Sequence, residues 1–183
     1  GQVGSTAVLE ALDEALNALE LQYLLVLTDE KKEIASIQKI SMKGWAMQRL
    51  GSRIKNSSSG INSHRKQWPP AILTTIDKLI PIYTTDIYDF IPASVVEKRR
   101  HIIDLALQQM QINKNTAAIL VPQELADQRV ALLGVWGDDL QEKDVPAFTA
   151  FAGQITSAVT KEMLHESGKE QARNLSRANA LIE

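Results

Sequence analysis

Two apolar runs decide the fold of this chain: AAILV at positions 117–121 and VALLGVW at positions 130–136. A short polar connection separates them, and a helical pattern that continues to Glu183 follows. Short apolar runs bounded by polar turns are typical of buried strands. The pair therefore predicts an antiparallel hairpin that leads into a long helix, an arrangement that favours a sensing module connected to a further part of its protein.

The composition excludes several functions. The chain has 20 Lys and Arg against 22 Asp and Glu, so its net charge of -2 offers no long-range attraction for nucleic acid. It has no cysteine, which excludes disulfides, thiolate zinc sites and thiol nucleophiles. No apolar run approaches the roughly 20 residues that span a bilayer. From this and from the lack of a leader pattern at its start, we expect a soluble, cytoplasmic protein. Because the chain starts with Gly1 and stops inside a helical pattern, we also expect it to be a piece of a longer protein.

The first half of the chain predicts a helix, a hairpin and a loop. Val8, Leu9, Leu12, Leu16 and Leu19 recur at helical spacing. Residues 23–27 and 34–40 predict two paired strands, and residues 44–50 predict a short helix. Residues 55–67, KNSSSGINSHRKQ, are almost devoid of apolar side chains and predict a mobile loop or lid over the sheet.

Three more helices are expected. Pro69 and Pro70 precede a helical pattern, which leads to an extended piece at 80–84. Ser94 and Glu97 have the spacing of a capping box at the start of a helix over 95–111. The last helix begins near residue 143, and its positions 164, 168, 171, 175, 178 and 182 step by four and three, with Gly and Gln at 168 and 171. That spacing is an imperfect heptad seam.

Two interpretations of the terminal helices remain open: both helices pack on the sheet, or they pair in a parallel homodimer. The second is favoured because a polar helical tail has no core of its own and needs a partner helix. The candidate dimer-interface residues are Leu9, Leu12, Leu16, Leu164, Leu175 and Ile182.

The chain resembles a GAF domain, in particular those of bacterial sensor histidine kinases and diguanylate cyclases. The resemblance rests on AILVP at 118–122, RVALLGVW at 129–136, LQEKD at 140–144 and FTAFAGQ at 148–154. It implies an α/β (α+β), profilin-like fold, in which helices cover a central antiparallel sheet of five or six strands and the terminal helices are long. It also implies a sensor domain over 1–163 and a signalling helix over 164–183 that leads to an output domain outside this chain.

The resemblance implies no known cofactor for this chain. Bilin-binding members attach the pigment through cysteine, which this chain lacks. Members that bind cyclic nucleotides have an Asn-Lys, Phe, Asp-Glu signature, of which only Asn113-Lys114 is present. The expected ligand is therefore an unidentified small molecule in a pocket between one sheet face and the crossing helices.

Six side chains are candidates for that pocket because aromatic groups offer area and one polar handle each. They are Trp45, Trp68, Tyr83, Tyr88, Arg100 and Trp136. For each aromatic residue taken alone, a place in the core is the favoured interpretation. Arg100 belongs to the run Lys98 to His101, which is either a solvated face or a site for an anion or partner subunit.

Catalysis and metal binding are not expected. His64, His101 and His165 have no helical metal-ligand spacing, and neither a nucleophile elbow nor a phosphate loop is present. The sequence therefore predicts a regulatory sensor domain without catalytic or metal-binding residues. The alternatives are a structural dimerisation module of the same fold with no ligand and, from another class, a small-molecule hydrolase.

Overall fold

The two apolar runs form neighbouring strands in the computed structural model, which describes residues 5–41, 61–91 and 93–182. The described strands form one six-stranded sheet in the order β3-β2-β1-β6-β5-β4, and every neighbouring pair is antiparallel. The bounds are β1 Gln22–Thr28, β2 Ile34–Ser41, β3 Ile61–His64, β4 Ile82–Thr84, β5 Ala117–Glu124 and β6 Val130–Gly137. This confirms the predicted α+β fold.

The apolar runs belong to the interior strands of this sheet. β1 pairs with β2 and β6, and β5 pairs with β4 and β6. Because helices cover both faces, side chains pointing either way along these strands are buried, which explains runs that do not alternate with polar residues. The hairpin predicted at 117–136 is thereby confirmed.

Four α-helices and three short 3-10 helices surround the sheet in the described residues. The α-helices are α1 Ser5–Ala18, α2 Pro70–Lys78, α3 Ala93–Gln109 and α4 Val145–Ile182. The 3-10 helices are Arg65–Gln67, Ile87–Phe90 and Glu142–Asp144. Pro70 stands in the first turn of α2, where its missing N–H is not needed. No helix in these ranges is both long and apolar enough to cross a membrane.

One face of the sheet, here called the closed face, packs against α1 and α4. The strands contribute Tyr23, Leu25, Ala117, Ile119, Val121, Leu133 and Val135. The two helices contribute Leu12, Leu16, Phe148, Ala152 and Ile155. These side chains form one continuous buried cluster, so the first third of α4 is part of the core.

The opposite face, here called the cavity face, is covered by α2 and α3. Next to α2, one cluster includes Val26, Leu120, Leu132, Trp68 and Ile76. Next to the end of α3, a smaller cluster consists of Met110, Ile112, Ala118 and Trp136. The cavity-face core is therefore divided into two parts, and the cavity lies where they meet.

The predicted mobile loop over 55–67 is wrong for residues 61–67. Residues 61–64 form β3, which pairs with β2 through Ile34 and His64 at one end and Ile37 and Ile61 at the other. Residues 65–67 form a 3-10 helix. An edge strand needs no apolar run, because its partner strand supplies the hydrogen bonds. Residues 55–60 and the helix predicted at 44–50 lie outside the described residues.

The predicted boundary between residues 163 and 164 falls inside α4. This helix runs from Val145 to Ile182, so it belongs to the core at its start and crosses the boundary without a break. The 3-10 helix ahead of it is fixed by a capping box, in which Asp144 Oδ2 accepts from the Gln141 N–H at 2.8 Å.

Candidate ligand pocket

A cavity of about 300 Å³ lies between the cavity face of the sheet and the helical layer. The sheet contributes Leu24, Ala118, Leu120, Gly134, Val135 and Trp136 to its lining. The helical side contributes Ile72 of α2, Ile87, Phe90 and Ile91 around the second 3-10 helix, and Ile103, Ala106, Leu107, Met110 and Ile112 of α3 and the residues after it. Its volume is at the lower end of the range of small-molecule pockets.

The cavity stays open because small residues face it from both sides. Ala106 lies on α3, and Ala118 and Gly134 lie on the sheet. The end of α3 is fixed beside the sheet, since the buried Gln22 Nε2 donates to the Met110 carbonyl oxygen at 2.8 Å. A helix held at this distance, with alanine and glycine below it, leaves space that no side chain fills.

Polar contacts join the two helical elements at the rim of the cavity. Tyr88, in the 3-10 helix Ile87–Phe90, donates its hydroxyl hydrogen to Asp104 Oδ1 on α3. That hydrogen bond raises the pKa of Tyr88, because it favours the protonated phenol beside a carboxylate, and desolvation adds to the effect. Arg100 Cζ lies 5.1 Å from the centre of the Tyr88 ring, within cation–π range. These three side chains connect the segments that carry Phe90 and Ile103.

The cavity lining contains no titratable side chain in the part of the chain that the structure describes. Its one polar side-chain group is the Trp136 indole N–H. Trp136 is only 6% exposed, and its Nε1 is buried without a hydrogen-bond partner among the described residues. The described ranges also contain no cluster of His, Asp and Glu fit to hold a metal ion. The cavity can therefore enclose an apolar molecule and donate one hydrogen bond to it.

One of the six candidate pocket residues is among the described lining residues of the cavity, and two others lie on segments that border it. Trp136 lines it. Tyr88 and Arg100 lie at its rim, where they contact each other instead of the cavity interior. Trp45 lies outside the described residues.

The assignments of Trp68 and Tyr83 to the pocket are wrong. Trp68 is buried in the cluster next to α2, where its Nε1 donates to the Ser63 carbonyl oxygen at 3.0 Å. Tyr83 packs on the closed face, and its hydroxyl donates to the Leu140 carbonyl oxygen at 3.2 Å. Tyr83 pairs with Ile119 in the β4–β5 register, so it points to the face opposite the cavity.

The sequence analysis missed the aliphatic residues that form most of the lining. Ile103 and Leu107 are four residues apart within the helix predicted over 95–111, and this spacing was a signal for a shared surface. Gly134 within an apolar strand was a second signal, because a glycine there leaves room for a close approach. Neither signal separates a cavity wall from ordinary core.

Two candidate dimer-interface residues belong to the core of the protomer. Leu12 and Leu16 are each 1% exposed and pack in the closed-face cluster, so their side chains are not accessible to a partner. Their apolar stripe on α1 faces the sheet and α4, as the alternative interpretation of the terminal helices had it. Leu175 is 65% exposed on α4. The side chains of Leu9, Leu164 and Ile182 lie outside the described part of the structure.

Several solved structures share this architecture. The GAF domain/HD domain protein from Geobacter sulfurreducens matches with a TM-score of 0.59 and 9% identity over 87% of this chain and 94% of that one. Residues 122 to 287 of a methyl-accepting chemotaxis protein match with a TM-score of 0.59 and 16% identity over 90% and 92%. The A. aeolicus nlh2 GAF domain in an inactive state matches with a TM-score of 0.52 and 8% identity over 88% and 85%.

These matches identify the fold. No protein-family model matches the chain, and neither does any curated protein sequence. At 8 to 16% identity the agreement lies in the arrangement of strands and helices. The chain therefore has the GAF fold, as its hairpin and last helix had suggested by resemblance.

Proposed function

We propose that this GAF-fold chain is a cytoplasmic regulatory sensor domain of a bacterial signal-transduction protein, such as a two-component histidine kinase or a diguanylate cyclase. In this proposal a small molecule binds in the cavity, and α4 passes the bound state to an output domain. The similar solved structures include a GAF domain/HD domain protein and part of a methyl-accepting chemotaxis protein, which supports a regulatory role. The absence of acid and base groups in the described cavity lining favours binding over catalysis.

One observation carries the proposal: the strands that line the cavity also hold α4. Along β5, Leu120 lines the cavity, whereas its neighbours Ile119 and Val121 pack in the closed-face cluster with Ile155 of α4. A ligand that shifts β5 and β6 therefore also shifts the side chains on which α4 packs, because those side chains belong to the same strands. Coupling needs a difference in ligand affinity between two packings of only about 1–3 kcal/mol.

The second half of α4 supports a homodimer. Residues 171–180 are all exposed, so this part of the helix has no packing surface in its own protomer. Isolated polar helices are marginal in water, and a second copy of the seam that contains Leu175 would stabilise it. With Leu12 and Leu16 in the core, the proposed interface consists of the α4 seam with Leu164, Leu175 and Ile182.

A thermal-shift screen with a metabolite panel tests ligand binding. A ligand of the native chain raises the melting temperature in proportion to the logarithm of its concentration. Ala106→Phe, which fills the cavity from α3, abolishes that rise. The matched control is Leu105→Phe on the exposed side of the same helix, which keeps it. If every hit also stabilises the Ala106→Phe variant, binding in the cavity is disproved and the structural dimerisation module becomes the better proposal.

Sedimentation velocity at several loadings tests the dimer. Leu175→Asp places a charge in the seam and is expected to lower the association constant of the dimer at least tenfold, which corresponds to about 1.4 kcal/mol. Asn174→Asp adds the same charge one residue away, outside the seam, and leaves association nearly unchanged. Equal effects of the two variants, or none, would contradict an α4 interface. The globular part stays folded in both, because residues 171–180 contact no core.

A further inference from the structure

The buried indole N–H of Trp136 makes a specific demand on whatever occupies the cavity. Trp136 lies on β6 between Gln22 of β1 and Ala118 of β5, and it lines the cavity. Its Nε1 has no hydrogen-bond partner among the described residues. A buried donor without an acceptor has lost its hydrogen bond to water, and no protein group replaces that bond. Such donors are rare in folded proteins because they are costly.

Among the residues that the structure describes, no other side chain of the lining supplies an oxygen or nitrogen acceptor. Its remaining members are Leu, Ile, Val, Phe, Met, Ala and Gly residues. The same composition leaves a charged ligand group without a counter-ion, and an unpaired charge is the most costly group to bury. The guanidinium of Arg100 lies against the Tyr88 ring, and Arg100 is not among the described lining residues.

We infer that the cavity binds an uncharged, mainly apolar molecule that carries one hydrogen-bond acceptor, and that this acceptor receives the Trp136 Nε1 hydrogen. The inference rests on the proposed function, since it names the ligand class of the same pocket. A volume of about 300 Å³ corresponds to about ten non-hydrogen atoms at roughly 30 Å³ for each water-sized unit. Medium-chain ketones, aldehydes and esters, and small bicyclic ketones, have this size and this single acceptor.

Three probes of matched size separate the contributions of the apolar chain, the carbonyl group and a charge to binding. 2-Nonanone has an apolar chain and one carbonyl, decane has the chain alone, and octanoate has the chain with a charge. Titration of the native protein, followed by calorimetry or by competition with a fluorescent apolar dye, is expected to show binding of 2-nonanone and decane. Octanoate at neutral pH binds at least tenfold more weakly than the ketone, because its carboxylate loses hydration without gaining a cation.

Trp136→Phe removes the donor while keeping an aromatic ring. The affinity for 2-nonanone is expected to fall about threefold to tenfold more than the affinity for decane. This difference corresponds to the loss of one neutral hydrogen bond. Decane controls for the smaller ring, because it loses the same packing without losing a hydrogen bond. The difference between the two probes is therefore the quantity that tests the inference.

A second measurement needs no variant that could fail to fold. In a nitrogen–proton correlation spectrum of the native chain, three Trp residues give separate indole signals, and Trp136→Phe or selective labelling assigns one of them. Adding 2-nonanone shifts the Trp136 indole proton downfield, whereas decane does not, because only the ketone accepts its hydrogen bond.

The outcomes distinguish the inference from the proposed function. If both neutral probes bind in the cavity but Trp136→Phe weakens them equally and the indole signal does not respond to the ketone, the inference is overturned while ligand sensing survives. If octanoate binds most tightly, or if no probe binds, the ligand class is wrong, and the metabolite screen with Ala106→Phe then decides separately whether the cavity binds any small molecule.

Discussion

The two faces of the sheet differ in how completely they are filled. On the closed face, a space of about 10 Å³ lies beside α4, bordered by Leu25, Leu133 and Ile155 among others. On the cavity face, a space of about 300 Å³ remains between the sheet and α3. A volume of 10 Å³ holds at most one water molecule, whereas the larger space holds a small ligand. The same strands thus border a filled core on one side and a cavity of ligand size on the other.

Polar anchoring follows the same division. On the closed face, the Tyr23 hydroxyl donates to Asp13 Oδ1 on α1 at 2.7 Å, and burial, together with this hydrogen bond and the nearby carboxylate, raises the pKa of Tyr23 well above its usual value. On the cavity face, the contact between Tyr88 and Asp104 lies at the exposed rim. The first contact fixes a helix within the core, and the second joins two segments that border the cavity. We expect substitutions to have different effects on the two faces.

The largest difference is expected for loss of an isoleucine side chain. Ile155→Ala on α4 opens a hole in a filled core and is expected to lower the free energy of unfolding by about 2–5 kcal/mol. Ile103→Ala on α3 enlarges a space that already exists, from a partly exposed position, and is expected to cost about 1 kcal/mol. Urea denaturation of both variants measures the difference. Equal losses would show that the cavity face is packed as tightly as the closed face.

Replacing a small residue by a larger one should have opposite effects on the free energy of unfolding at the two faces. Ala106→Leu on α3 places apolar atoms in the cavity and is expected to raise the free energy of unfolding by about 0.5–2 kcal/mol. Ala152→Leu on α4 forces the same atoms into the closed-face cluster and is expected to lower it by about 1–3 kcal/mol. Both residues are helical alanines, so helix propensity contributes equally and cancels in the comparison.

Thermal and urea unfolding of the alanine pair provide the measurement, and a ligand titration adds an independent one. Ala106→Leu should also weaken any ligand that binds in the cavity, whereas Ala152→Leu should leave its affinity largely unchanged. Destabilisation by both substitutions would mean that α3 closes onto the sheet in solution. The contrast between the faces would then not hold.

The closed face was predictable from the sequence because filling a core follows from periodicity. The runs at 117–121 and 130–136 became β5 and β6, and the apolar stripe at Phe148, Ala152 and Ile155 became the buried side of α4. These patterns depend on local spacing, which a single sequence contains. β3 was missed because its strand character comes from pairing with β2 and not from its own side chains.

The cavity was not predictable, because it is defined by space that side chains leave empty. Whether Ile103 and Leu107 touch the sheet or stop short of it depends on how far α3 is held from β6, which Gln22 and Met110 determine by a contact distant in sequence. The face to which an aromatic residue points depends on register. Tyr83 lies opposite Ile119 and joined the closed face, whereas Trp136 lies opposite Ala118 and joined the cavity.

The smallest expected effect comes from two glycines of β6, one on each face. A Cβ at Gly137 would lie 2.6 Å from Leu21 Cδ2, a buried side chain of the closed-face cluster. A Cβ at Gly134 would lie 3.0 Å from Leu120 Cδ2, which borders the cavity and has room to turn into it.

Gly137→Ala is therefore expected to lower the free energy of unfolding by about 1 kcal/mol, the lower limit for overpacking. Gly134→Ala is expected to change it by less than about 0.5 kcal/mol, since the loss of chain entropy in the unfolded state offsets the contact. Both changes are measured by the shift of the urea midpoint, with the slope of the transition as a check on the unfolded state. A larger loss for Gly134→Ala than for Gly137→Ala would contradict this comparison, because the contact at 2.6 Å requires a larger shift of its neighbour than the contact at 3.0 Å.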